Sequence, residues 1–175
     1  MGTIFDVQKS LNQISSGFGN MVLNEVLRAD VPEIIREQLY AGKNGRGKNL
    51  RPTYDNDPFF KTAEAGPWRN RAQAYNNWKM KVQPPKIGSF LGFAPRSAET
   101  PNLIIKGNFH DSIFAIKTAD GINVGSEGFS QSGDIEQKYG QVIYGLSPQA
   151  KRYLAEHRLK PAVNAYFKKY GLILK

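Results

Sequence analysis

The spacing of apolar residues changes several times along the chain. Near the start, Phe5, Val7, Leu11 and Ile14 fall at loosely helical intervals, and Gly17-Phe18-Gly19 interrupts them. Asn20 fits an N-cap for a helix through Met21, Val22, Val26 and Leu27. Asp30 and Glu33 have capping-box spacing with Pro32 in the first turn, which predicts a fresh helical segment through Ile34, Ile35, Gln38 and Leu39, ending at Gly42. The restart predicts a kinked pair of helices or one bent helix. Further on, Trp68, Ala72, Tyr75, Trp78 and Val82 lie three or four apart, a helix with one aromatic face that must end before Pro84-Pro85. That face is expected to cover a sheet, because a sheet with one apolar side needs a layer over it. Ser147-Pro148 opens a last helix, cap then proline. It carries Tyr153, Leu154 and His157, meets Pro161, where a kink or restart is expected, and runs through Val163, Tyr166 and Phe167 to Gly171. The apolar tail from Leu172 to Leu174 is expected to dock as an edge strand or on a partner.

Between these helices lies a stretch of short-period segments. Leu103-Ile104-Ile105 predicts one strand, Ile113 to Ile116 a second and Ile122 to Val124 a third, with Asp120-Gly121 joining the last two in a hairpin. Ser132 caps a helix over 133–139 that Gly140 stops, and Gln141 to Tyr144 predicts a fourth strand, broken at Gly145. The fold class expected is therefore α+β: a small, curved, antiparallel four-stranded sheet covered by helices, with long extended segments. It divides into N-terminal helices over 1–42, an extended arm over 43–67 and an α+β core over 68–175, a single domain overall.

The arm has no sustained period, yet Leu50, Tyr54, Phe59, Phe60 and Trp68 are too apolar for a free linker. They predict anchoring on the chain's own domain or on a neighbouring subunit. A second irregular segment, 84–101, carries Phe90, Leu91 and Phe93. Two such segments in one small chain point to oligomeric contacts. Within the arm, Gly42 to Asn49 comes close to a phosphate-binding loop. The chemistry of that loop requires a strand before it, a helix after it and a hydroxyl for magnesium. Here a helix precedes, Pro52 follows and Asn49 stands where the hydroxyl should be, so nucleotide hydrolysis is rejected. The basic residues Lys43, Arg46, Lys48 and Arg51 remain, either as contacts to phosphate or an acidic partner or as a solvated turn.

Composition narrows the classes further. The chain has 175 residues and no cysteine, which excludes disulfides and thiolate metal sites. Lys and Arg total 24 against 15 acidic residues, a net charge of +9 that favours polyanions or an acidic protein face. Apolar content of 40% is slightly low for a compact domain, consistent with a modest core and partner-stabilised segments. No signal peptide or membrane span is expected. For catalysis, the two histidines are His110 and His157. His110 and Asp111 are adjacent, so their side chains diverge in a strand or a helical turn. Without a nucleophile–base pair or metal constellation in the pattern, no enzyme activity, metal or cofactor is expected.

The order of motifs from Gly107 onward resembles the tail-completion, or virion-morphogenesis, proteins of tailed bacteriophages. The segment Gly107, Asn108, Phe109, Ser112 and Ile113 matches the one that opens the family's sheet. Val124-Gly125, then Ile135, Tyr139 and Gly140, then Gly145-Leu146-Ser147 match its later steps. The chain departs from the family where Lys138-Tyr139-Gly140 replaces the commoner His-x-x-Gly, and where Lys106-Gly107 replaces Thr-Gly. The resemblance covers 75 to the end of the last helix. It implies a structural virion protein in a homo-oligomeric ring at the head–tail junction or in the tail, made in the bacterial host cytoplasm. Its partners would be further copies of itself and portal, neck or tail proteins, with genomic DNA a candidate and no membrane. Candidate subunit or DNA contacts are Lys43, Arg46, Lys48, Arg51, Tyr54, Phe59 and Phe60. The alternative is a nucleic-acid-binding module that uses the basic, aromatic-bearing surface.

Overall fold

The computed structural model describes residues 4–119 and 121–172. Two long helical runs frame the molecule. The first joins α1 (Ile4–Asn20), a π-helical stretch (Met21–Leu27) and α2 (Arg28–Tyr40) without a break. The expected interruption at Gly17 and the expected caps at Asn20 and Asp30 are therefore absent; Asn20 is itself helical, with no side-chain cap bond. Gly17 serves packing instead: a Cβ there would sit 2.5 Å from the Tyr166 hydroxyl oxygen. Tertiary contact overrides the weak helix propensity of glycine at this point.

The run widens through its π-helical stretch, where Arg28 N–H donates to Leu23 O, five residues back. The C-terminal run repeats the device. Ser147 caps α6 (Pro148–Tyr153) as expected, its hydroxyl accepting from Ala150 N at 3.2 Å. A second π-helical stretch (Leu154–Leu159) then leads into α7 (Lys160–Lys168). A proline inside a helix lacks a donor and crowds the carbonyl four residues back, which for Pro161 is that of His157 and for Pro32 that of Arg28. Both carbonyls lie within or directly beside the widened turns, so neither proline breaks its run.

Among the described residues the sheet has two strands, β1 (Ile113–Lys117) and β2 (Ile122–Ser126), paired antiparallel with Ile113 opposite Ser126 and Lys117 opposite Ile122. The four-stranded sheet is thus corrected to one hairpin. Leu103 adopts a left-handed conformation (φ 54°), and Asn102 Oδ1 accepts from Ile104 N, so the first expected strand cannot extend. Gln141–Tyr144 forms a 3-10 turn, with Gly145 N donating to Val142 O. Four residues between two glycines satisfy their backbone by bonding to themselves, and no strand edge is offered to them. With its helices and one antiparallel hairpin, the molecule is α+β only in a loose sense. Asp120, half of the expected turn pair, lies outside the described residues, as do Ile173 to Lys175 of the expected tail strand; Thr118 N donates to Gly121 O across that turn.

One core gathers Met21, Val26, Ile34, Ile35 and Leu39 from the first run, Phe109 and Ile113 from the hairpin region, and Ile143, Ala150, Leu154 and Tyr166 from the C-terminal part. A second, smaller cluster holds Tyr54, Phe60 and Ala65, with Trp68, Ala72 and Tyr75 against it. Helix α3 (Ala72–Val82) ends before Pro84 as expected, but its aromatic face covers this second cluster and not a sheet.

Candidate interaction surface

The basic turn is a rigid structure built on the end of α2. Gly42 takes a left-handed conformation (φ 70°) and Lys43 N donates to Gln38 O, closing the helix. Lys43 and Asn49 form a β-bridge, and Lys43 Nζ donates to Asn49 Oδ1 at 2.6 Å. Asn44 Oδ1 accepts from Arg46 N (2.9 Å) and Lys48 N (3.2 Å), and Asn44 O accepts from Gly47 N. The amides a phosphate cradle would need are therefore satisfied within the turn. Gly45 N donates to Val142 O, fastening the turn to the 3-10 segment. Arg46, Lys48 and Arg51 are exposed, and none joins an ion pair among the described residues. The turn thus presents unneutralised charge on a fixed backbone.

The remaining arm residues fold onto their own domain. Three 3-10 turns (Tyr54–Asn56, Pro58–Lys61 and Ala63–Trp68) wrap the exposed edge of α3. Tyr54 and Phe60 are buried, with ring centroids 5.1 and 5.0 Å from Tyr75; Trp68 stacks at 5.5 Å on Trp78. These two candidate contacts are therefore internal. Phe59 is 38% exposed and lies 5.6 Å below the Lys138 ammonium. Asp57, which sequence reasoning missed, holds the arrangement. Its carboxylate accepts from Phe59 N at 3.0 Å, capping the second turn, and pairs with Lys138 on α5 (Ser132–Tyr139). The signal for it was present in sequence as an Asp directly before a proline, a 3-10 or helical cap.

The motif residues from Gly107 to Leu146 are distributed through the framework and do not converge on a cleft. Gly107 (φ 99°) starts the short helix α4 (Asn108–Asp111), which puts Phe109 in the core and leaves Asn108 exposed. Ser112 and Ser126 hydroxyls meet at 2.6 Å across the mouth of the hairpin. Val124 packs on the core, and Gly125 faces the Phe114 ring. Ile135 and Tyr139 are half-buried on α5, and Gly140 (φ 75°) ends it as expected. Gly145 touches Gly45, and Leu146 packs at the edge of the core.

Beneath α3 lies a buried polar cluster that the sequence pattern did not reveal. Lys79 is 1% exposed, and its ammonium has no hydrogen-bond partner within the protein. Burial, with the Arg96 guanidinium adding repulsion, pushes its pKa down to about 8. Arg96 ties the 84–101 segment together, donating to Gln83 O (2.6 Å) and Thr100 O (3.0 Å). His110 Nε2 lies 2.8 Å from Asn102 O, a geometry that makes Nε2–H the donor, and burial pushes the ring pKa down to about 4. Asp111 is exposed, so the two neighbours do diverge on their helical turn. The cavity bounded by Glu37, Tyr40, Lys86 and Arg96 measures about 10 Å³, room for one water. His157 is exposed and stacks on Tyr153 at 4.7 Å.

The most conspicuous surface feature is apolar. The segment after α3 is tied down by Tyr40, whose hydroxyl donates to Pro84 O at 3.0 Å, and by Lys86, which pairs with Glu37 at 2.9 Å. Phe90 leans on Tyr153 at 4.9 Å, and Leu91 is buried. Between those anchors Ile87 is 91% exposed, followed by Gly88 in a left-handed conformation (φ 81°). Val82 and Phe90 are exposed on either side of it. No protein-family model, curated protein or solved structure matches the chain.

Proposed function

We propose that the chain is a structural assembly protein of a tailed-phage virion, a subunit of a ring at the head–tail junction or in the tail. The observation that carries the assembly reading is Ile87, an isoleucine held almost fully in solvent on a segment pinned at both ends. Exposure of a large apolar side chain is ordinary when the backbone is loose or the residue stands alone. Here it sits between two further exposed apolar residues, Val82 and Phe90, on an anchored backbone, an arrangement suited to docking in a socket on another subunit. Head-to-tail contacts of this kind close into rings. The placement of that ring in a phage rests on the sequence resemblance from Gly107 to Leu146.

The test is electron microscopy of particles made when the gene is inactivated in its phage. DNA-filled heads that lack tails or carry unstable ones are expected; complete particles with normal tails would overturn the reading. Supplying Ile87→Asp in trans should fail to restore tails while the purified variant keeps its melting temperature, since Ile87 makes no core contact.

A second reading, nucleic-acid binding, is favoured by the exposed, unneutralised Arg46, Lys48 and Arg51 on the turn. It is compatible with the first where a ring surrounds DNA.

A further inference from the structure

Helix α1 carries a seam that the fold covers only in part. Ile4, Val7, Leu11, Ile14 and Phe18 of α1, with Met21 directly after it, recur at alternating intervals of three and four, the spacing with which one helix packs along another. At its C-terminal end the seam is used inside the molecule. Met21 is in the core, and Phe18 stacks on Tyr166 (5.7 Å) and Phe167 (5.6 Å) of α7. Tyr166 also donates its hydroxyl to Ile14 O at 2.8 Å. There the cover stops: α7 ends at Lys168, and Gly171 turns the chain in a left-handed conformation (φ 74°). One turn further toward the N-terminus, Leu11 is 58% exposed, and Gln8 to Gln13 are exposed throughout.

The geometry points to a second copy of this chain as the occupant, with α1 of one copy lying along α1 of the other over Leu11. Charge selects that partner. The molecule carries +9, so two copies repel unless the surfaces that meet carry no charge. From Ser10 to Asn24 there is no charged residue, although charged residues make up 22% of the chain. The residues flanking Leu11 on the helix are Ser, Asn and Gln, which hydrogen-bond to their own kind without repulsion. A polyanion or an anionic lipid surface would be met instead by lysines and arginines along the polar face, and Lys9 stands alone there. Continuity with the Phe18 and Met21 packing supplies the rest: the same seam that seats α7 runs on past its end to Leu11, which lies uncovered. The inference concerns the purified chain and stands independently of the virion reading; it names one self-contact without requiring where the assembly resides.

Sedimentation of the full chain over about 1–100 μM tests it. The wild type should gain mass with concentration above its 19.6 kDa monomer, and Leu11→Glu should need at least ten-fold more protein to gain the same mass, with an unchanged melting temperature. Because the chain has no cysteine, Leu11→Cys and Asn12→Cys each place a single thiol on α1. With oxidised glutathione, Leu11→Cys should form a disulfide dimer at least ten-fold faster than Asn12→Cys. A wild type that stays monomeric, a Leu11→Glu variant that associates as the wild type does, or equal cross-linking of the two cysteines would each overturn the α1 contact.

Discussion

At Gly45 two backbones meet without side chains between them. A Cβ there would lie 2.7 Å from Gly145 Cα and from Val142 O, closer than such atoms approach. Gly45→Ala is therefore expected to destabilise the protein by about 1–3 kcal/mol, read as a lower urea midpoint with an unchanged slope. Two buried bases contribute to the response to pH. His110 titrates at about 4 in the folded protein against about 6.5 unfolded, so the unfolded state binds more protons between those values. Its stabilising effect is complete above pH 6.5 and is lost as the pH falls to 4, amounting to about 3 kcal/mol. Unfolding free energies measured across this window should show that step, and His110→Asn should remove it. Lys79 titrates at about 8 folded against about 10.4 unfolded. Here too the unfolded state holds the extra proton, so stability should rise from pH 8 to 10.5, and Lys79→Met should flatten that rise while raising the melting temperature at pH 7.

Among the elements, the three 3-10 turns depend most on a single residue. Asp57, itself 7% exposed, caps one turn and reaches α5 through the surface residue Lys138. Asp57→Ala leaves Lys138 without its partner and the turn without its cap, at an expected cost of about 1–2 kcal/mol. Both tryptophans of the chain, Trp68 and Trp78, stack in the aromatic cluster beneath these turns. Tryptophan emission of the variant should thus shift to the red at denaturant concentrations where far-ultraviolet circular dichroism still reports intact helices. Coincident transitions would show that the arm and the main core unfold as one unit. The arm's attachment was half legible: its aromatics announced an anchor, while the choice of α3 as that anchor follows from how Tyr75 and Trp78 face Tyr54 and Phe60 in space.

For the molecule as a whole, the basic turn after α2, the exposed Leu11 of α1 and the Ile87 loop lie on three different elements. The basic turn should give the purified chain weak, salt-sensitive affinity for duplex DNA. Changing Arg46 and Lys48 together to Ala should reduce the slope of log affinity against log salt by about 2, without changing sequence preference. Titrations at several salt concentrations check this; an unaltered slope would remove the turn from any DNA contact. The apolar seam of α1 and the Ile87 loop are the proposed protein contacts, of the kind that keeps charge at the rim.

Local chemistry alone determined the features whose cause lies within a few residues. These are the Ser147-Pro148 helix start, the stop at Gly140, the end of α3 before Pro84, the two strands of the hairpin and the divergence of His110 from Asp111. Each is settled by a dihedral, a cap or a missing donor that the sequence names outright. Tertiary structure decided the rest. Gly17 stays helical because Tyr166 packs on it, 149 positions away in sequence (166 − 17). Pro32 and Pro161 continue their helices because adjoining π turns open room for them. Leu103 to Ile105 and Gln141 to Tyr144 have strand-like composition, yet neither acquires a partner edge, and a strand exists only by pairing with another. The burial of Lys79 likewise depends on which segments close over it, since a lysine on a helix gives no sign of its surroundings until the chain that covers it is in place.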